Sequence, residues 1–318
     1  MAGFAPEVLS KLAGMGLNAP MGIGKKFFVN GGADGVTHGH DVAGKGESIA
    51  TAFLSITFAL TQCVAGRNDY IFCFNVWNQD ASPISIPSGL NMIHIIGLQL
   101  KGGSSLSLAT TGDTPMFYLN TLVTGPLADI EIAGFNMGGG ATHGCIELHG
   151  ACDMAWIHDC IFGHAWVPLS QDGIRIASVS NSQGVIIEDN LFYGNSGLAG
   201  QGKLTRYGIG QIAGSAPLHG GAIRRNRFIK CPTGAINLAA QVWEMVIEDN
   251  KISCGADALG NAITLSPATA SCLVARNEAN RGQAIMVNNP YLDQAGAADN
   301  DWMSNELGLV MHWPTVAV

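Results

Sequence analysis

Residues 245–253, MVIEDNKIS, decide the fold, because their pattern recurs along most of the chain. Set on the same column, residues 184–192 read GVIIEDNLF, residues 221–229 GAIRRNRFI and residues 272–280 CLVARNEAN. Working outward adds NDWMSNELG (300–308) on one side, and MAWIHDCIF (154–162), DIEIAGFNM (129–137) and MIHIIGLQL (92–100) on the other. The aligned column holds Leu98, Phe135, Cys160, Asn190, Asn226, Asn250, Asn277 and Asn305, in steps of 37, 25, 30, 36, 24, 27 and 28 residues. A period in the twenties and thirties marks a repeat architecture whose units bury their apolar faces only against neighbouring units.

Alternation within the repeats predicts which side chains face inward. Counted from the aligned column, positions −5, −3 and +2 hold Ala155, Ile157 and Phe162, then Val185, Ile187 and Phe192, then Gly221, Ile223 and Phe228. Met245, Ile247 and Ile252 follow, and then Cys272, Val274 and Ala279. Position −2 is mostly polar (His158, Glu188, Arg224, Glu248, Ala275), so it points outward. A second ladder runs between these segments through Ile146, Ile174, Ile209, Ile236, Ile263, Ile285 and Leu309, in steps of 28, 35, 27, 27, 22 and 24. Two ladders keeping similar steps predict an all-β chain wound as a parallel β-helix solenoid. Each coil has about three strands, stacked at roughly 4.8 Å.

Composition narrows the rest. The 318 residues are 47% hydrophobic and only 13% charged, with a formal net charge of −8 and 42 glycines. So small a charged fraction points to surface covered in an assembly. The acidic balance, with no basic stripe, argues against a nucleic-acid partner. Residues 48–66, SIATAFLSITFALTQCVAG, are uncharged and long enough to raise the question of a membrane span. Ile49, Ala52, Phe53, Ile56, Leu60 and Cys63 fall on one helical stripe, with Thr51, Ser55 and Gln62 away from it. That pattern predicts an amphipathic helix over the core, starting at Glu47 or Ser48, and no membrane span. The chain opens without a basic segment followed by an apolar one, so Sec-type export is not expected. None of the eight cysteines forms a CxxC pair, which leaves buried free thiols in a reducing compartment.

The domain reading is an N-terminal arm or anchor over 1–24, a capping strand (KKFFV, 25–29), helix and first coil over 25–90, and the parallel β-helix over 91–318. IIEDNLFYGN, IRRNRFIK and VIEDNKIS resemble the Ile-x-x-Asn-x-Phe/Ile turns of the right-handed β-helix, pectin-lyase-like superfamily. The head, KKFFV…GKGESIATAFLSITFALTQCVAG…IPSGLNMIHIIG, resembles that superfamily's opening strand, capping helix and first rungs. The resemblance covers about residues 25 to 310 and implies the right-handed form of the solenoid. It does not imply one activity, since the scaffold serves lyases, hydrolases and non-catalytic viral spikes.

Several constellations could carry chemistry. Asn190, Asn226, Asn250, Asn277 and Asn305 fit a stacked amide ladder better than a ligand site. The acids Glu188, Asp189, Glu248 and Asp249 invite a general acid–base reading, but Arg224, Arg225 and Arg276 alternate with them, as in ion-pair ladders along a sheet. SQDGIRI (170–176) resembles the NTDGI stretch of polygalacturonases, which makes Asp172 the one catalytic candidate. The Asp-Asp pair and Gly-His-Gly of that pattern are absent, and an inverting hydrolase needs two carboxyls about 6.5–9.5 Å apart. His143, His149, His158 and His164, with His38 and His40 in THGH and His219, match no common metal spacing. Trp156, Trp166, Trp243 and Trp302 are candidate sugar-stacking surfaces.

Two functional expectations follow. The first is a non-catalytic structural protein of a virion, a bacteriophage capsid-decoration (cement) or spike-like component without cofactor. It would form a homotrimer, assembled in the host cytoplasm and contacting other virion proteins such as a major capsid protein. The second is a polysaccharide lyase or hydrolase, a depolymerase of host surface glycans, with a glycan-binding recognition module between the two.

Overall fold

Short β-branched and aromatic strands separated by single polar corners leave each strand too small to stand alone, so strands gain partners only from adjoining passes of the chain. The computed structural model describes residues 24–31, 39–74, 83–98, 107–108, 113–119, 126–163, 170–194, 204–253, 261–280, 291–295, 300–307, 310–311 and 315–316. These residues form an all-β molecule of stacked, almost wholly parallel sheets. Sheet 1 has ten strands and runs unbroken from Lys26–Asn30 through Asp69–Phe74, Ile93–Gly97 and Ile130–Ala133 to Asp301–Met303. Sheet 2 has nine, from Ser107–Leu108 through Ile161–Phe162 and Leu191–Tyr193 to Glu306–Leu307 and Val310–Met311. Sheet 3 also has nine, from Ile84–Ile86 through Gly144–Leu148, Asp172–Ile176 and Tyr207–Gln211 to Thr315–Val316. After each middle strand of sheet 1 the chain enters sheet 2, then sheet 3, then sheet 1 again.

Six passes also add a fourth, two-residue strand before they regain sheet 1, where the repeat spacing predicts about three. Ser182–Gln183, Leu218–His219, Val242–Trp243 and Thr269–Ala270 form a four-stranded sheet of such pieces, and Leu127–Ala128 pairs with Cys152–Asp153. Two-residue strands carry too little pattern to be seen in one sequence.

The register places like on like. In sheet 1, Phe27, Ile71, Ile95, Ile132, Ile157, Ile187, Ile223, Ile247, Val274 and Trp302 are partnered in one continuous row. All are buried in a single core that extends from Phe27 to Trp302. In sheet 2 the row Phe162, Phe192, Phe228, Ile252 and Ala279 is likewise buried. The Phe162, Phe192 and Phe228 rings stack with centroids 4.7 Å apart and planes within 10°, the offset-stacked geometry favoured by ring quadrupoles. Gly221, placed by the repeat among the inward −5 residues with Ala155, Val185, Met245 and Cys272, is only half-buried, with φ +97°.

Sheet 3 carries the second ladder, Phe117, Ile146, Ile174, Ile209, Ile236 and Ile263, and its next member is Tyr291. The expected members Ile285 and Leu309 lie outside the described residues, and the segment of Leu309 continues elsewhere. Val310–Met311 joins sheet 2, antiparallel to Glu306–Leu307. An aromatic at 291 in place of an aliphatic concealed that step from pattern matching.

The helix also differs from expectation. Residues 49–51 form a single 3-10 turn, and the α-helix, α1, covers only Ile56–Gln62. Ser55, not Ser48 or Glu47, begins it, its Oγ accepting the Phe58 N–H at 3.1 Å. Asp41 fixes that start by accepting from the Leu54 and Ser55 N–H groups and the Ser55 hydroxyl. Phe53 bridges to Val29 instead, and Ile49 is 43% exposed, so the apparent stripe was partly a strand's alternation. α1 buries Ile56, Ala59 and Leu60 and packs against Lys26–Asn30, Asp69–Phe74 and Ile84–Ile86. Of the expected arm, 1–24, residues 1–23 lie outside the described residues. No helix among the described residues is long and apolar enough to cross a membrane.

Opposite faces of sheet 1, sampled on two paired strands, should respond differently to truncation. Ile223→Ala empties the interior row and is expected to cost about 3 kcal/mol, while Ile186→Ala, half-buried on the outer face, should cost under about 1 kcal/mol. Urea denaturation of the two variants measures both, and equal losses would contradict the register.

Candidate functional site

The corner between sheets 1 and 2 gathers most of the residues singled out by the repeats. The residue before the aligned column takes the left-handed conformation in successive passes: Asp159 (φ 52°), Asp189 (55°), Arg225 (53°), Asp249 (54°), Arg276 (52°) and Ser304 (52°). This turns the next side chain inward, and Asn190, Asn226, Asn250, Asn277 and Asn305 are all buried. Asn190, Asn226, Asn250 and Asn277 bond to the passes on either side, and Asn305 to the preceding one. Asn250 Nδ2 donates to the Ile223 carbonyl at 2.9 Å and to Asn277 Oδ1 at 2.9 Å, while its Oδ1 accepts from Asn226 N at 3.0 Å and Nδ2 at 3.1 Å. The same set links Asn190 to Asn226, and Asn277 to Asn305. Asn226, Asn250 and Asn277 use both amide donors and both acceptor positions in this way and have no capacity left for a ligand.

Outside this corner run the charges. Arg224 Nε lies 2.6 Å from Glu188, Arg225 bridges Glu188 at 2.7 Å and Asp189 at 2.8 Å, and Arg276 bridges Glu248 at 2.5 Å and Asp249 at 2.8 Å. Burial alone would raise the Glu188 carboxyl, but hydrogen bonds from Arg224 and the Trp156 indole outweigh it and hold it below its usual range. The Arg276 guanidinium lowers Asp249 in the same way. Carboxylates kept ionised like this do not act as proton-donating acids.

Asp172 lies apart, on sheet 3, and is fully buried. Arg206 grips it with two donors, Nε at 2.9 Å and Nη2, and the Tyr207 N–H adds a bond at 3.1 Å. Burial pushes the Asp172 carboxyl upward, opposed by Arg206. The same contact raises Arg206, and the bidentate geometry holds the pair ionised. The acid in the adjacent strand is Glu147, three register positions along and roughly 11 Å away by strand dimensions. Glu147 is itself engaged by His143 Nδ1 at 2.8 Å. Asp172 therefore has no free second carboxylate beside it on that strand.

The histidines do not converge. His143 meets Glu147, His149 packs on Tyr118, His219 packs on Trp243, and His158 lies between Glu131 and Asp159. His38, His164 and Trp166 lie outside the described residues. Among the described residues no three His, Cys, Asp or Glu side chains are grouped to hold a metal ion. Trp302 is buried and donates to Asp293 at 2.8 Å, so it offers no surface to a sugar. Trp156 is 37% exposed and stacks on His158, with ring centroids 4.0 Å apart. Cys145, Cys152 and Cys160 are buried free thiols that burial pushes up to about 12, which keeps them neutral and inert.

Sequence reading missed one cluster, on the outer face of sheet 1. Glu131 joins His94 and His158 across three adjacent strands, His94 Nε2 reaches Asn68 at 2.7 Å, and Tyr70 stacks on His94 at 4.2 Å. The signal was available, since Tyr70, His94, Glu131 and Trp156 occupy one register row. Their chemical dissimilarity hid it.

No protein-family model matches the chain, and no match was found among the curated proteins or the solved structures.

The Asp172–Arg206 pair yields an asymmetric prediction. Arg206→Ala leaves a buried anion without a counter-charge and should cost about 3 kcal/mol. Asp172→Asn leaves a guanidinium that is one-third exposed (33%) and can turn to water, so it should cost about 1 kcal/mol. Chemical denaturation ranks the two, and a larger loss for Asp172→Asn would mean the carboxylate has another essential partner.

Proposed function

We propose that the stacked passes are the coils of a right-handed parallel β-helix, with α1 capping its first end. We propose further that the chain is a non-catalytic structural protein of a virion, of the bacteriophage capsid-decoration or spike type. The parallel sheets visited in fixed rotation support the coil, and parallel crossovers are right-handed in nearly all proteins. The position of α1 against the first strands supports the cap.

One observation carries the structural reading. The amides and acids that the repeat aligns are bonded to the adjoining passes or the neighbouring corner, and Asp172 is gripped by Arg206 with no free carboxylate beside it on the strand Gly144–Leu148. Groups arranged this way resist slippage and unfolding; they do not bind or turn over a substrate. Rigidity is what a particle's outer component requires. The low charge of the chain fits the burial of flanks in a homotrimer seated on a shell of major capsid protein.

Among the described residues, a glycan-binding or depolymerase reading draws on Trp156, whose indole is partly exposed beside Glu188, and on Trp243, half-buried against His219. Release of reducing ends or unsaturated products from mixed bacterial polysaccharides, abolished by Asp172→Asn in a folded protein, would bring that reading forward. The structural reading is tested by size-exclusion chromatography with light scattering. The expected particle has three times the 33.2 kDa chain mass, and a stable, soluble monomer would contradict the homotrimer.

A further inference from the structure

The outer face of sheet 1 contains a hydrogen-bond problem that only an extra proton solves. His158 Nε2 lies 2.8 Å from Glu131 Oε1, and its Nδ1 lies 2.8 Å from Asp159 Oδ2. Both neighbours are carboxylates, which accept hydrogen bonds and do not donate them when ionised. A neutral imidazole has one N–H and one lone pair, so it would direct its lone pair at one of the two anions. An imidazolium donates to both. Glu131 is further held by His94, and burial of its carboxyl is outweighed by hydrogen bonds from His158 and His94, which bring it to about 2. It is therefore an anion at any ordinary pH.

We propose that His158 is a built-in proton-binding site, held as an imidazolium between Glu131 and Asp159, and that this proton clasps together the early passes of the stack. The groups facing it come from every strand packed around it. Tyr70 and Asn68 lie behind His94, and His94 and Glu131 occupy the two preceding strands. Trp156 and Asp159 flank His158 on its own strand and corner. On the following side Glu188 accepts from Trp156 and is neutralised by Arg224 and Arg225. Among the described residues, the group that contacts both Glu131 and Asp159 and can carry a positive charge is thus His158 itself. Burial alone would lower its imidazole, but the bonds to Asp159 and Glu131 outweigh that and place it at about 9. A group raised in the folded chain stabilises fully below its unfolded value, near pH 6.5, and loses that contribution as pH rises through about 9. The clasp is therefore closed in neutral medium and opens in alkali.

Ring-nitrogen NMR of the full chain, labelled at histidine, tests the site. Both nitrogens of His158 are expected to carry protons at neutral pH, with release centred near pH 9. Asp159→Asn keeps a residue type that tolerates the left-handed corner but removes one anion. It should lower that midpoint, a several-fold loss of proton affinity. Thermal unfolding adds a second readout. The wild type should lose melting temperature between neutral pH and pH 10 by more than His158→Gln does. A single-protonated His158 at neutral pH, or a midpoint unmoved by Asp159→Asn, would overturn the proposal.

Discussion

A buried amide that is satisfied by the adjoining passes of the chain is the constraint on which this structure depends. Parallel strands of three residues form few hydrogen bonds, and an apolar interior row would tolerate sliding by two residues at little cost in burial. The asparagine corner removes that freedom. Shifting one pass relative to its neighbour would leave Asn250 Nδ2, its Oδ1 and the Ile223 carbonyl unpaired inside the protein, each at about 1–3 kcal/mol. The left-handed residue just before each asparagine aims the amide inward, and its strain is tolerated because the bonds that follow over-determine it.

The same task is solved differently in the two halves of the stack. From Asn190 onward the corner is polar inside, and the matching acids and arginines lie outside. Before it the aligned column holds Leu98, Phe135 and Cys160, all apolar or thiol and all buried, so no interior amide fixes the register there. In that half the polar chain moves outward, from Asn68 through His94, Glu131 and His158 to Asp159. The two systems meet at one place: Cys160 N donates inward to Asn190 Oδ1, while Trp156 donates outward to Glu188. Neutral amides fix the interior corner of one half, and the polar chain that links the passes of the other half runs through titratable groups on its outer face.

This division also explains what the sequence disclosed. The isoleucine row, the asparagine column and the acid–arginine alternation were legible because in-register parallel stacking repeats a residue type, and repetition survives variable loops. The His94–Glu131–His158 chain was not, since its members differ in type and lie 37 and 27 residues apart. The two-residue strands, the substitution of Tyr291 for an aliphatic and the truncation of the helix to Ile56–Gln62 each replace a periodic signal with a single residue's geometry. Asp172 was legible as a motif fragment, but its meaning depended on Arg206, 34 residues away in a loop between repeats.

The central claim, that like positions of successive passes stack on one interior axis locked by amides, is tested most directly by an experimental structure. The account predicts Ile157, Ile187, Ile223 and Ile247 in one column at steps of roughly 4.8 Å, with Asn226, Asn250 and Asn277 bonded in series beside them. A structure in which any pass is displaced by one residue, so that Glu188 or Glu248 enters the interior in place of its neighbouring isoleucine, would contradict it.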